Sequence, residues 1–97
     1  MNTYRLALIG FGNVGQGLAK ILLDRSSWLE ERFDTKFVVV AISDMHKGSC
    51  YDPDGLSISE LLDSIDNTNN LEGVTAPNQG WDSLQTIQDS NADIIIE

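Results

Sequence analysis

Arg5-Leu6-Ala7-Leu8-Ile9-Gly10-Phe11-Gly12-Asn13-Val14-Gly15 is the stretch on which the fold of this chain turns. Arg5 to Ile9 is a short apolar run stopped by a glycine, the pattern of a strand buried on both faces of a parallel sheet. The six residues from Gly10 to Gly15 then match Gly-x-Gly-x-x-Gly, and the apolar spacing that follows is helical. Strand, glycine turn and helix in that order are what a dinucleotide diphosphate requires. Gly10 permits the tight turn, Gly12 lets backbone approach the anion, and Gly15 lets the helix pack closely on the strand. The free amides of the helix start face the negative charge. No Gly-Lys-Ser or Gly-Lys-Thr follows, so a Walker-type phosphate loop is set aside. A strand-to-helix turn that binds nothing stays open as the plain structural alternative.

Outward from the turn, Val14, Leu18, Ile21, Leu22, Leu29 and Phe33 mark one helix over Asn13 to Arg32, with Ser26-Ser27 as its weak point. Phe37 to Ile42, rich in β-branched residues, predicts a second buried strand. Ser43 to Gly55 is polar and ends in Asp52-Pro53-Asp54-Gly55, so a loop closed by a turn is expected there. Ser57-Ile58-Ser59-Glu60 has the form of a capping box for a short helix over Ile58 to Asp66. Asn67 to Asn70 and Pro77 to Gly80 look like loops, with a minimal edge strand around Val74. Asp82 or Ser83 can cap a helix to about Gln88, and Ala92 to Glu97 predicts a third buried strand. Alternation of this kind implies an α/β, Rossmann-like doubly wound parallel sheet with about three main strands and flanking helices, residues 1–97 forming one domain.

A dinucleotide site of this type needs a carboxylate at the end of the second strand to accept hydrogen bonds from the adenosine ribose. Asp44 stands there, and Ser43 beside it could reach a ribose or phosphate oxygen. A turn-forming role for Asp44 is the alternative. The carboxylate favours NAD over NADP, whereas His46 and Lys47 offer charge that a 2′-phosphate could use. His46 itself has no partner in sequence that would make it a catalytic base. Cys50 reads as an inert thiol, and Trp28 and Trp81 as packing residues. The Asp52 to Gly55 segment lacks the remaining ligands of a calcium loop, and no Cys/His cluster has metal-ligand spacing.

Charge excludes another class of partner. All six Lys and Arg lie between Arg5 and Lys47, while Cys50 to Glu97 carry ten carboxylates and no Lys or Arg, so the halves stand near +1 and −10. A net charge of −9 repels a nucleic-acid backbone and suits a solvated acidic surface. The apolar runs are far shorter than the ~20 residues that span a bilayer, and no signal-peptide pattern precedes Gly10. Neither membrane insertion nor export is expected, and a single cysteine suits a reducing cytoplasm.

Leu8 to Leu18, then Val39-Val40-Ala41-Ile42-Ser43-Asp44, then Asp52-Pro53-Asp54-Gly55-Leu56 together resemble the N-terminal region of homoserine dehydrogenase, and Ala92 to Glu97 is similar to its next core strand. The resemblance implies NAD(P)-dependent interconversion of L-aspartate 4-semialdehyde and L-homoserine, on the route to threonine, methionine and isoleucine. It also implies that backbone around Phe11, Asn13 and Val14 contacts the cofactor diphosphate. The family's catalytic lysine and aspartate, substrate residues, sodium site and dimer-forming sheet lie further along, so no catalytic residue or metal ligand is assigned in this chain and the fragment alone is expected to be inactive. The full-length protein is expected to be a homodimer. Related semialdehyde or sugar reductases share much of the pattern, and a noncatalytic NAD-sensing module is the reading from another functional class.

Overall fold

The computed structural model describes residues 1–97. Its elements in chain order are β1 (Asn2–Ile9), α1 (Asn13–Phe33), β2 (Thr35–Asp44), β3 (Gly48–Tyr51), α2 (Ile58–Thr68), β4 (Asn78–Gln79), α3 (Ser83–Asp89) and β5 (Ile94–Ile96). One sheet runs in the order β4-β3-β2-β1-β5, with β1 parallel to both β2 and β5. Those three are the expected strands, but the expectation of a third buried strand fails at β5, which lies at the sheet edge with Ile94 and Ile95 exposed. The C-terminal halves of β1 and β2 are covered on both sides: α1 and α2 pack on one face through Leu18, Ala19, Leu22, Leu61 and Ile65, while α3 lies on the other, beside Trp81 and Ala92. The partial doubly wound α/β architecture is therefore present.

Helix α1 passes through Ser26-Ser27 without a break. The Ser26 hydroxyl donates to the Leu23 carbonyl at 3.3 Å and so stays within the helix's own hydrogen bonding. The helix ends at Asp34, whose left-handed backbone (φ 50°) returns its amide to the Glu30 carbonyl. In α2 only half of the capping box forms. The Ser57 hydroxyl accepts from the Glu60 amide, but the Glu60 carboxylate turns outward and accepts from the Thr75 amide, tying down the following loop.

Two further expectations need correction. The polar stretch from Ser43 to Gly55 is not all loop: β2 continues to Asp44, and Gly48–Tyr51 pairs antiparallel with it as β3. Four residues without alternation carry no strand signature of their own. Their pairing is created by a three-residue turn, Met45 to Lys47, closed by Gly48 at φ +102°. The minimal edge strand lies at Asn78–Gln79 rather than around Val74. Val74 is buried, and its amide closes a turn onto the Leu71 carbonyl, so its side chain joins the core and its backbone leaves the sheet.

Pairing of β1 with β2 contains one irregularity that positions the site. Leu6 is opposite Val39 but Ala7 is opposite Ala41, which leaves Val40 as an extra residue. Val39 and Ile42 pack on the α1/α2 face, while Val40 and Ala41 both pack on the α3 face. Strand alternation thus changes phase by one residue ahead of Ser43 and Asp44.

Candidate functional site

The glycine turn leaves β1 at the point where the strand order reverses, with β2 on one side of β1 and β5 on the other. Ligands of open α/β sheets bind outside the carboxyl ends of the strands at such a point. A cavity of about 270 Å³ opens there, walled by Ile9 and Gly10, the first turn of α1, and Ile96. Gly10 adopts φ +95°, which the tight turn demands. A β-carbon on Gly15 would lie 3.0 Å from the Gly10 carbonyl oxygen, so the helix can approach the turn this closely only without a side chain. At Gly12 a β-carbon would meet nothing within 4 Å, and the space outside that residue is open. Gly12 is the N-cap of α1 and supplies no side chain to cap it. The amides of Asn13, Val14 and Gly15 are therefore the unpaired donors every helix start presents, since the first return bond runs from Gln16 to the Gly12 carbonyl.

Phe11 is held on three sides. Its ring is fully buried in the α1/α2 core, its carbonyl accepts from the Gln16 side-chain amide at 2.9 Å, and its N–H donates to Asp44 Oδ2 at 2.7 Å. Gln16 thus braces the glycine turn, a role that the motif alone did not reveal. The only signal was its place one residue past Gly15.

The phase change at Val40 sends Asp44 and Ser43 in opposite directions. Asp44 reaches the glycine turn, and its other oxygen, Oδ1, accepts from the His46 and Lys47 amides at 2.8 and 2.9 Å. Burial would raise the pKa of this carboxyl, but the three amide hydrogen bonds and the Lys47 charge outweigh it and hold the group below its ordinary value. Ser43 is buried, and its hydroxyl donates to the Trp81 carbonyl at 3.1 Å on the α3 side. Between them lies a second hollow, of about 430 Å³, bordered by Asp44, Met45, Leu71, Glu72, Trp81 and Asp82.

The remaining candidates stand apart from the turn. His46 is exposed on the β2–β3 turn. Burial, reinforced by the Glu60 charge, pushes the Cys50 thiol up to about 12, which keeps it protonated and unreactive. Trp81 stacks on Tyr51 with ring centroids 4.7 Å apart, and Trp28 meets Phe33 edge-on at 5.3 Å, so both tryptophans pack against protein aromatics. Asp52 to Gly55 forms a turn in which the Asp52 carbonyl accepts from the Gly55 amide.

Known proteins resemble this chain in sequence and fold. Residues 1–96 match the family described as Glutamate/Leucine/Phenylalanine/Valine dehydrogenase. Homoserine dehydrogenase of Methanocaldococcus jannaschii is 29% identical over 92 residues, covering 95% of this chain and 27% of that protein. The NAD(+)-dependent homoserine dehydrogenase of Pseudomonas canavaninivorans is 32% identical over 102 residues, covering all of this chain and 28% of that protein. Among solved structures, an Archaeoglobus fulgidus protein provisionally assigned as homoserine dehydrogenase superposes with a TM-score of 0.77 at 26% identity, over 97% of this chain and 26% of its own. A hyperthermophilic archaeal homoserine dehydrogenase solved with NADPH shares the fold, with a TM-score of 0.74 at 20% identity over 96% of this chain and 27% of its own. The chain thus spans about a quarter of the length of the relatives it matches. It belongs to the glutamate/leucine/phenylalanine/valine dehydrogenase family, and the curated proteins to which it is homologous are homoserine dehydrogenases.

Proposed function

We propose that this chain is the nicotinamide-dinucleotide-binding domain of a homoserine dehydrogenase, an oxidoreductase that interconverts L-aspartate 4-semialdehyde and L-homoserine with NAD(P)H. The observation that carries the cofactor role is the crevice at the strand-order reversal, where the unpaired amides of Asn13, Val14 and Gly15 border open space beside Gly12, while similarity to homoserine dehydrogenases supports the reaction. Backbone donors at a helix start, with no side chain in front of them, suit a diphosphate. In this reading Gly10 and Phe11 shape the turn, and Gly12 to Gly15 hold the diphosphate. Asp44 accepts an adenosine ribose hydroxyl through the lone pair left on Oδ2, and Ser43 supports the adenosine end through Trp81. The cofactor, when bound, gives or takes a hydride at its nicotinamide. This chain binds and orients it, and the residues that protonate and position the substrate belong to the larger part of the protein.

NAD is the expected preference, because the Asp44 carboxylate borders the ribose and repels a 2′-phosphate. Substrate binding and a homodimer interface are assigned to the remaining domain, and the setting is a reducing cytoplasm, which suits the lone buried Cys50. Calorimetric titration with NAD, NADH, NADP and NADPH tests the reading. Saturable binding, tighter for the NAD pair and weakened in Asp44→Ala, is expected, and absence of binding by all four would overturn it.

A further inference from the structure

We propose that Asp44 is a positioning residue for the diphosphate turn, acting through the Phe11 amide whether or not it also touches a ribose; its ligand-binding consequence rests on the reading above. The carboxylate offers about four lone-pair sites, and three are already filled by the amides of Phe11, His46 and Lys47. A group placed only to read a ribose would keep its acceptors for the ligand. Here one oxygen closes the β2–β3 turn while the other reaches across 33 residues of sequence to the middle of Gly10-Phe11-Gly12. That segment has glycine on both sides and so has the greatest conformational freedom to lose on ordering. The Gly10 amide, bonded to the Ser43 carbonyl at 2.7 Å, is the last link of backbone pairing between the turn and β2. Beyond it the Asp44 carboxylate takes over, and the Gln16 amide and the buried ring complete the grip on Phe11. Fixing Phe11 fixes Gly12, and with it the line along which the Asn13 to Gly15 amides point. The turn is thereby organised before any ligand arrives, and less order has to be imposed on binding.

The extra residue Val40 is part of this arrangement. Without it, alternation along β2 would send Asp44 to the α3 face and Ser43 toward the turn.

The test compares the unaltered chain with Asp44→Asn, which puts an N–H donor on one side of a group that now accepts on both. Two ligands are titrated: NAD, and an NAD analogue whose adenosine ribose lacks both hydroxyls. Positioning predicts that the variant loses affinity for the analogue by about tenfold or more, the scale of one hydrogen bond to a charged group, and for NAD by at least as much. A loss confined to NAD would overturn it, because that outcome belongs to ribose contact alone. Amide hydrogen exchange without ligand supplies the second readout. Phe11 exchange is expected to accelerate by about tenfold or more relative to the Val39 amide. Equal acceleration of both amides, or none, would overturn the proposal. If neither ligand binds the unaltered chain, the dinucleotide reading fails by itself while exchange still decides the role of Asp44. If Asp44→Asn does not fold, a semisynthetic chain with an ester in place of the Phe11 amide removes the same hydrogen bond and leaves the carboxylate. Loss on both ligands is again expected there, and unchanged affinity would overturn the proposal.

Discussion

The two faces of the sheet are built differently. Beneath α1 and α2 a continuous group of thirteen buried residues runs from Leu6 and Phe11 through Leu61 to Val74, whereas the α3 face buries only Ala7, Val40, Ala41 and Tyr51 in its cluster. Leu84 and Ile87 of α3 remain exposed. The glycine turn is attached to the thicker face, through the Phe11 ring and the Asp44 carboxylate, while Ser43 and Trp81 belong to the thinner one. The larger core and the contacts that hold the glycine turn are thus concentrated on one side of the same five strands, and adjacent residues of β2 serve different faces.

Removing the ring that joins core and turn should break this comparison most severely. Phe11→Ala is expected to cost about 3–5 kcal/mol of stability, the range for deleting a buried aromatic, and urea denaturation will read it. A loss below about 1 kcal/mol, no more than an ordinary substitution, would show that the thicker face does not depend on it. Gly12→Val separates binding from folding, because its side chain enters open space rather than the core. Dinucleotide affinity should fall by about a hundredfold or more, equivalent to roughly 2.7 kcal/mol, while the urea midpoint changes little. Unchanged affinity would move the diphosphate elsewhere.

On the thinner face, Val40→Ala removes two methyl groups and should cost about 1.6 kcal/mol by buried-methylene arithmetic, clearly less than Phe11→Ala. Equality of the two in the same urea assay would erase the distinction between the faces. The smallest effect is pH-dependent. Asp44 has a folded pKa below its unfolded value of about 3.9, so its stabilisation is complete above that pH and is lost as pH falls through the lower folded value. Stability should decline between pH 5 and pH 3 by more in the unaltered chain than in Asp44→Asn. Equal declines would mean that the carboxylate is not favoured by its three amides.

Local pattern made β1, α1, β2, α2, α3 and β5 legible, because each carries its own periodicity, cap or apolar run within a few neighbours, although the exposure of Ile94 and Ile95 was not legible in that pattern. The Asp82 cap is an example: its carboxylate accepts from the Gln85 amide at 2.8 Å. Strand β3 was hidden because Gly48 to Tyr51 becomes a strand only by pairing with β2. Gln16 escaped notice because a polar side chain one residue past a glycine motif gives no sign of folding back on the Phe11 carbonyl.

From the sequence alone it follows that a glycine turn joins a buried strand to a helix, that a carboxylate ends the next strand, and that nothing basic enough for nucleic acid is present. Those properties reside in residue identity and short spacing. Which way Asp44 points, what it holds, and why Ser43 turns from it were decided only in the tertiary structure. One extra residue at Val40 sets the phase of β2 against β1, and that register arises from packing on two faces at once.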